Sequence, residues 1–205
     1  MDTDTTWQHI DTERAWLAGL LESLPDDAWQ QPSLCHGWTV RDVAAHLTFA
    51  QASVQDLLWP ALRAGLRYDT LIRDTALRCP LSHQEIVSTL RAFVGSRRRV
   101  AFITDTEPLI DILVHTQDVC VPLGIDHPMP PEAAAAAADR ILATPWPIRR
   151  WRPPRGAHLV ATDADWTYGT GPEWAAPMQE HLLHLTGRQA PPARPDGRGV
   201  VASAQ

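Results

Sequence analysis

The sequence predicts a mainly α protein: a helical bundle with a small C-terminal α+β appendage made of a hairpin and a helix. Three observations predict it. Apolar residues recur at three- and four-residue spacing in long segments before residue 150, no strand pattern interrupts them, and β-formers with turn residues take over after the proline-rich joint PWPIRRWRPPRG. At 205 residues the chain is long enough for one generous core or for one domain with an appendage, and the change of character at the joint favours the second. The expected division is a helical bundle over 1–148, a small α+β region over 149–188 that packs on it, and a disordered tail over 189–205.

Each element has its own signal. Thr5 or Thr6 can cap a first helix carrying Trp7, Ile10, Trp16, Leu17, Leu20 and Leu21, which ends before Pro25. The segment PDDAWQQPSLCHGW reads as a loop punctuated by Pro and Gly. Thr39 with Asp42 resembles a capping box and opens a second helix that can run to Trp59, where Pro60 stops it. Ser82 with Glu85 opens a third, through Ile86, Leu90, Phe93 and Val94 to about Thr104. A fourth spans about Glu107 to Val121, ended by Pro122 and Gly124, and the alanine run after Pro130 makes a fifth by propensity. In the appendage, AHLVATDADWTYGTG reads as a hairpin and PEWAAPMQEHLLHLTG as one amphipathic helix ending at Gly187; Trp166, Tyr168 and Trp174 are expected in the core. QAPPARPDGRGVVASAQ has the composition of a disordered tail.

Composition excludes several functions. All 18 basic residues are Arg, so Schiff-base chemistry, a P-loop and a kinase lysine are impossible within this chain. A net charge of -6 argues against a nucleic-acid surface, and the clusters Arg97–Arg99 and Arg149–Arg155 read as solvated helix ends or linker. No apolar run reaches 18 residues and the N-terminal stretch lacks the order of a signal peptide, so a cytoplasmic protein without membrane contact is expected. Cys35, Cys79 and Cys120 are an odd number at wide spacing with no CxxC, as reduced thiols are. The Lys-free, Ala- and Arg-rich composition is that of a GC-rich genome such as an actinobacterial one.

Chemistry is concentrated on two helices. In TVRDVAAHLTFAQ the apolar stripe is Val40, Val43, Leu47, Ala50 and Val54, and His46 lies on its edge. In DILVHTQD, residues Asp111, His115 and Asp118 fall at i, i+4 and i+7, one row on a strongly apolar helix. Three titratable groups so placed are costly without a partner. A divalent metal is one such partner, held by Asp111, His115 and His46 with one position open. A polar network in which Asp111 and Asp118 bracket His115 or contact arginines is the other, and spacing alone leaves both open.

LCHGWTVRDVAAHL resembles the Cys, Gly-Trp-Thr and Val-x-x-His signature of the mycothiol-dependent maleylpyruvate isomerase family, in the DinB-like superfamily. DILVHTQDVCVPLG resembles its Glu-x-x-x-His-x-x-Asp segment, and ATDADWTYGTGPEWAAPMQEHLLHLTGR resembles the C-terminal portion of actinobacterial members; together these cover most of residues 7 to 188. The resemblance implies a DinB-like four-helix bundle with Zn2+, or another divalent metal, on His46, His115 and Asp111, where Asp111 replaces the family's Glu. It also implies an outer, orienting role for Asp118. Cys35 and His36 read as a small buried thiol and a loop residue.

The function implied by the resemblance is that of a metal-dependent isomerase or S-transferase that takes mycothiol as thiol cosubstrate and acts on a small electrophilic molecule. A cation beside sulfur favours thiolate, the nucleophilic form. Its addition to a conjugated carbonyl, rotation about the new single bond and elimination give the other geometric isomer; stopping at the adduct gives a transferase. Two alternatives stand beside it. One is a hydrolase or natural-product tailoring enzyme of the same fold that activates water. The other is a non-catalytic metal-binding bundle, which a closed shell with His9, His36 or Asp118 as fourth ligand would favour.

Overall fold

Asp2 opens the first helix of the computed structural model, which describes residues 1–51, 68–99, 103–144 and 156–188. Its carboxylate accepts Thr5 N–H at 2.8 Å, so α1 (Thr3–Ser23) starts before the threonines that the sequence offered as caps. An acid at the positive end of a helix gains from the macrodipole as well as from the hydrogen bond. Trp7, Ile10, Leu17, Ala18 and Leu21 of α1 are buried.

The capping box at Thr39 and Asp42 forms with both reciprocal bonds and starts α2 (Val40–Leu47). The turn then tightens, with Phe49 N–H on His46 O and Ala50 N–H on Leu47 O; residues 52–59 of the expected longer helix lie outside the described residues. A short helix that the periodicity did not indicate, α3 (Tyr68–Leu77), precedes α4 (His83–Ala92). The Ser82–Glu85 box caps α4 as expected, but α4 ends at Ala92 and not near Thr104. The reason lies at its C-terminus: Gly95 turns left-handed at φ 80°, and the buried Arg14 guanidinium donates to the freed carbonyls of Phe93 at 3.0 Å and Ser96 at 3.2 Å. Next come α5 (Thr106–Cys120) and α6 (Pro131–Ala143), the latter with Pro at its first position.

Helices α1, α2, α4 and α5 form a four-helix ring in which α1 packs on α4 and α5, and α2 packs on the same two. Helix α6 covers the far side of α5. The small sheet comprises β1 (His158–Ala161), β2 (Thr167–Gly169) and β3 (Glu173–Ala176) in the order β2-β1-β3. The β1–β2 pair is the expected hairpin, antiparallel with Leu159 opposite Tyr168. The stretch EWAA is a third strand, parallel to β1, and not the start of the final helix, because Pro177 sets the boundary and α7 (Met178–Leu185) begins behind it. Trp166 is buried and donates from Nε1 to Asp139 on α6 at 2.8 Å, while Tyr168 is exposed, against expectation. Helix α7 packs on α6, which brings the C-terminal end of the described chain beside α5. No described helix is long and apolar enough to cross a membrane.

Candidate metal centre

The two helices singled out in the sequence pack against each other, and the packing brings their histidines together. His46 on α2 and His115 on α5 have ring centroids 4.8 Å apart. Nε2 of each lies 3.4 Å from the same oxygen, Oδ1 of Asp111, one helical turn before His115. Side-chain exposure is 13% for His46, 11% for His115 and 34% for Asp111, so the two rings are nearly enclosed while the carboxylate keeps contact with solvent.

This donor set fits a divalent ion. Bonds of about 2.0 to 2.1 Å in tetrahedral arrangement place the donor atoms about 3.3 to 3.4 Å apart, as the two Nε2 atoms stand from Oδ1. The three donors all lie within 4.8 Å of one another. Two imidazoles with one carboxylate suit zinc-like ions over magnesium or calcium, which prefer all-oxygen shells. The residues proposed for a closed shell are engaged elsewhere: His9 pairs with Glu132 at 3.5 Å, His36 is exposed in its loop, and Asp118 faces the other ring nitrogen of His115.

The electrostatics match a site that holds positive charge. Enclosure by protein disfavours a charged Asp111, but the charge of His46 and then the contacts with His115 and His46 outweigh it and hold the carboxyl well below the usual range. Burial works against a charged His115 too, yet Asp111 and then Asp118 push it up to about 9. Asp118 is wholly buried and would be raised by that burial, but His115 and Arg188 keep it low. Its Oδ2 sits 2.7 Å from His115 Nδ1, which leaves Nε2 as the nitrogen turned to Asp111.

Around this core lie groups that the motif did not assign. The loop before α2 turns at Gly37, with φ 76°, and is pinned by the Pro32–Thr39 bridge and by Leu34 N–H on the Asp118 carbonyl. That turn sets Trp38 edge-on to His46 at 5.5 Å and parallel to His115 at 6.5 Å, as one wall of the centre. It also sets Cys35 next to Asp118; burial and then that carboxylate push the thiol up to about 11, so it is protonated at neutral pH. Arg188 reaches both Asp118 oxygens, at 3.0 and 2.7 Å, from the end of α7. The Cys-x-Gly-Trp run of the loop and the Gly-Arg pair after α7 are the signals the sequence carried for these neighbours.

Comparison with known proteins bears on the fold that carries these residues. Residues 10–101 match the family model of the mycothiol maleylpyruvate isomerase N-terminal domain. That segment is similar to this domain family. The isomerase resemblance extends past the matched domain in three dimensions. A crystal structure of the mycothiol-dependent maleylpyruvate isomerase superimposes with a TM-score of 0.60 at 12% identity, over 97% of this chain and 95% of that one. A histidine-to-alanine mutant of that enzyme gives 0.60 at 13% identity, over 98% and 95%. At such identity the likeness establishes the DinB-like fold alone. No curated protein matches the chain.

Proposed function

We propose that the protein is a metal-dependent, mycothiol-using isomerase or S-transferase for a small electrophilic substrate, with His46, Asp111 and His115 as the ligands of one Zn2+-like ion. The observation that carries the reading is the convergence of two Nε2 atoms on one Asp111 oxygen at 3.4 Å each, with that carboxylate still in contact with solvent. A divalent ion held there supplies the charge that lets a bound thiol persist as thiolate at neutral pH. The chain's own residues do the rest. Asp118 holds the Nδ1 proton of His115 and so keeps Nε2 free to ligate. Asp111 is one methylene shorter than the family's Glu, yet its Oδ1 already reaches both imidazoles from α5. Trp38 closes one side and limits water around the reacting sulfur.

In this reading residues 1–148 form the metal-binding bundle, 149–188 complete the enzyme, and 189–205 lie outside the described residues. The three cysteines are free thiols, which fits the cytoplasm, where a low-molecular-weight thiol is kept reduced. Zinc-loaded protein assayed with mycothiol and maleylpyruvate, and separately with mycothiol and conjugated electrophiles, tests for isomerisation or a stable adduct. Turnover that requires both metal and mycothiol is expected. Turnover without any thiol would transfer the protein to the water-activating class.

A further inference from the structure

The end of α7 is built to deliver one side chain. Gly187 has φ 83°, its N–H bonds His184 O at 2.9 Å, and Arg188 N–H bonds Leu183 O at 2.8 Å, the paired closure of a Schellman turn. Arg188 Nη1 is tied to Thr186 O at 2.9 Å, so the guanidinium is fixed before it meets the centre. There Nε and Nη2 grip the two oxygens of Asp118, and Nη2 also donates to Cys35 Sγ at 3.3 Å. Cys35, His115 and Asp118 themselves offer three metal-type donor atoms within 4.8 Å of one another. Their positive partner is already supplied by the protein, because Arg188 occupies the Cys35 and Asp118 donors.

We infer that Arg188 is a positioning residue of the metal centre, through which the C-terminal segment orders Asp118 and thereby fixes the ring of His115. This rests on the reading that His46, Asp111 and His115 hold an ion. Asp118 is fully buried, and a buried carboxylate keeps a single orientation only while its charge is matched. The fork of Arg188 fixes both oxygens at once, and Oδ2 is then aimed at His115 Nδ1 at 2.7 Å. An ammonium carries the charge without the fork.

The experiment is cobalt titration of the full chain, followed by its visible spectrum, for wild type, Arg188→Met and Arg188→Lys, with melting curves of the metal-free proteins as the control. Folded Arg188→Met is expected to bind cobalt about 10- to 100-fold more weakly than wild type, with an altered visible spectrum at saturation. Arg188→Lys is expected to lie between, about 3- to 10-fold weaker. A purely structural arginine would lower melting temperatures while leaving the cobalt affinity of folded protein unchanged, and that result overturns the inference. If Arg188→Met does not fold, wild-type affinity in Arg188→Lys overturns it equally. Wild-type protein that takes up no cobalt would instead remove the metal reading itself, and this inference with it.

Discussion

Two of the histidine–carboxylate contacts that bridge elements in this protein differ in kind. At one, His46 and His115 come from two helices onto a single oxygen of Asp111, and that carboxylate keeps contact with solvent. At the other, His127 alone meets both oxygens of the buried Glu13 at 3.0 and 3.3 Å, with its ring stacked on Trp16 at 3.4 Å and its carbonyl accepting from Gln117. Among the described residues, only the first location and its neighbour at Cys35, His115 and Asp118 gather three metal-type donors within 4.8 Å. A buried histidine paired to an acid is therefore no sign of chemistry by itself. Convergence of donors on a solvent-reached point is the distinguishing feature, and the Glu13–His127 pair is a structural bridge between α1 and the loop before α6.

The two locations part most sharply at their carboxylates. Asp111→Ala should lower zinc affinity by more than about 100-fold in a competitive titration, as loss of a direct ligand does, while Glu13→Gln leaves it unchanged. Asp118→Asn should cost about 10- to 100-fold, because His115 loses its orienting acceptor. Equal zinc content in wild type and Asp111→Ala would erase the distinction between the two locations.

Protons sharpen it further. A histidine whose pKa is raised in the fold adds stability that is complete below its unfolded value of about 6.5 and is lost as pH rises through the folded value. His115, pushed up to about 9, places that loss between about pH 6.5 and 9 in the metal-free protein, worth up to about 3 kcal/mol. Asp111 and Asp118, held low, add stability that is present above about pH 4 and lost in acid. Melting temperatures should thus fall on the alkaline side, and His115→Gln should flatten that limb. Zinc should also remove the limb, since ligation needs His115 Nε2 unprotonated and releases its proton. The smallest effect belongs to the structural bridge: His127→Ala leaves Glu13 unpaired, costing about 1 to 3 kcal/mol of stability with no change in zinc affinity.

One side of this contrast was legible in the sequence. The i, i+4, i+7 row of Asp111, His115 and Asp118 lies on one face because helix periodicity fixes it, and His46 sits on the stripe edge where the capping box at Thr39 phases it. What was not legible depends on contacts far apart in the chain. Arg188 meets Asp118 across 70 residues, and nothing local to either announces the pair. Arg14 ends α4 early from 79 residues away, against an apolar pattern that would have carried the helix on. The EWAA segment has too little length to declare itself a strand, and only pairing with β1 makes it one. Asp2 displaced Thr5 and Thr6 as the first cap, an alternative that propensity ranks too closely to decide.

The most direct measurement is zinc K-edge X-ray absorption on the metal-loaded protein, before and after addition of mycothiol. A centre built on His46, Asp111 and His115 gives a nitrogen and oxygen shell at about 2.0 to 2.1 Å with imidazole scattering and no sulfur, then one sulfur at about 2.3 Å once the thiol is present, both lost in Asp111→Ala. A sulfur already bound in the thiol-free protein, or a shell that mycothiol leaves unchanged, would contradict it.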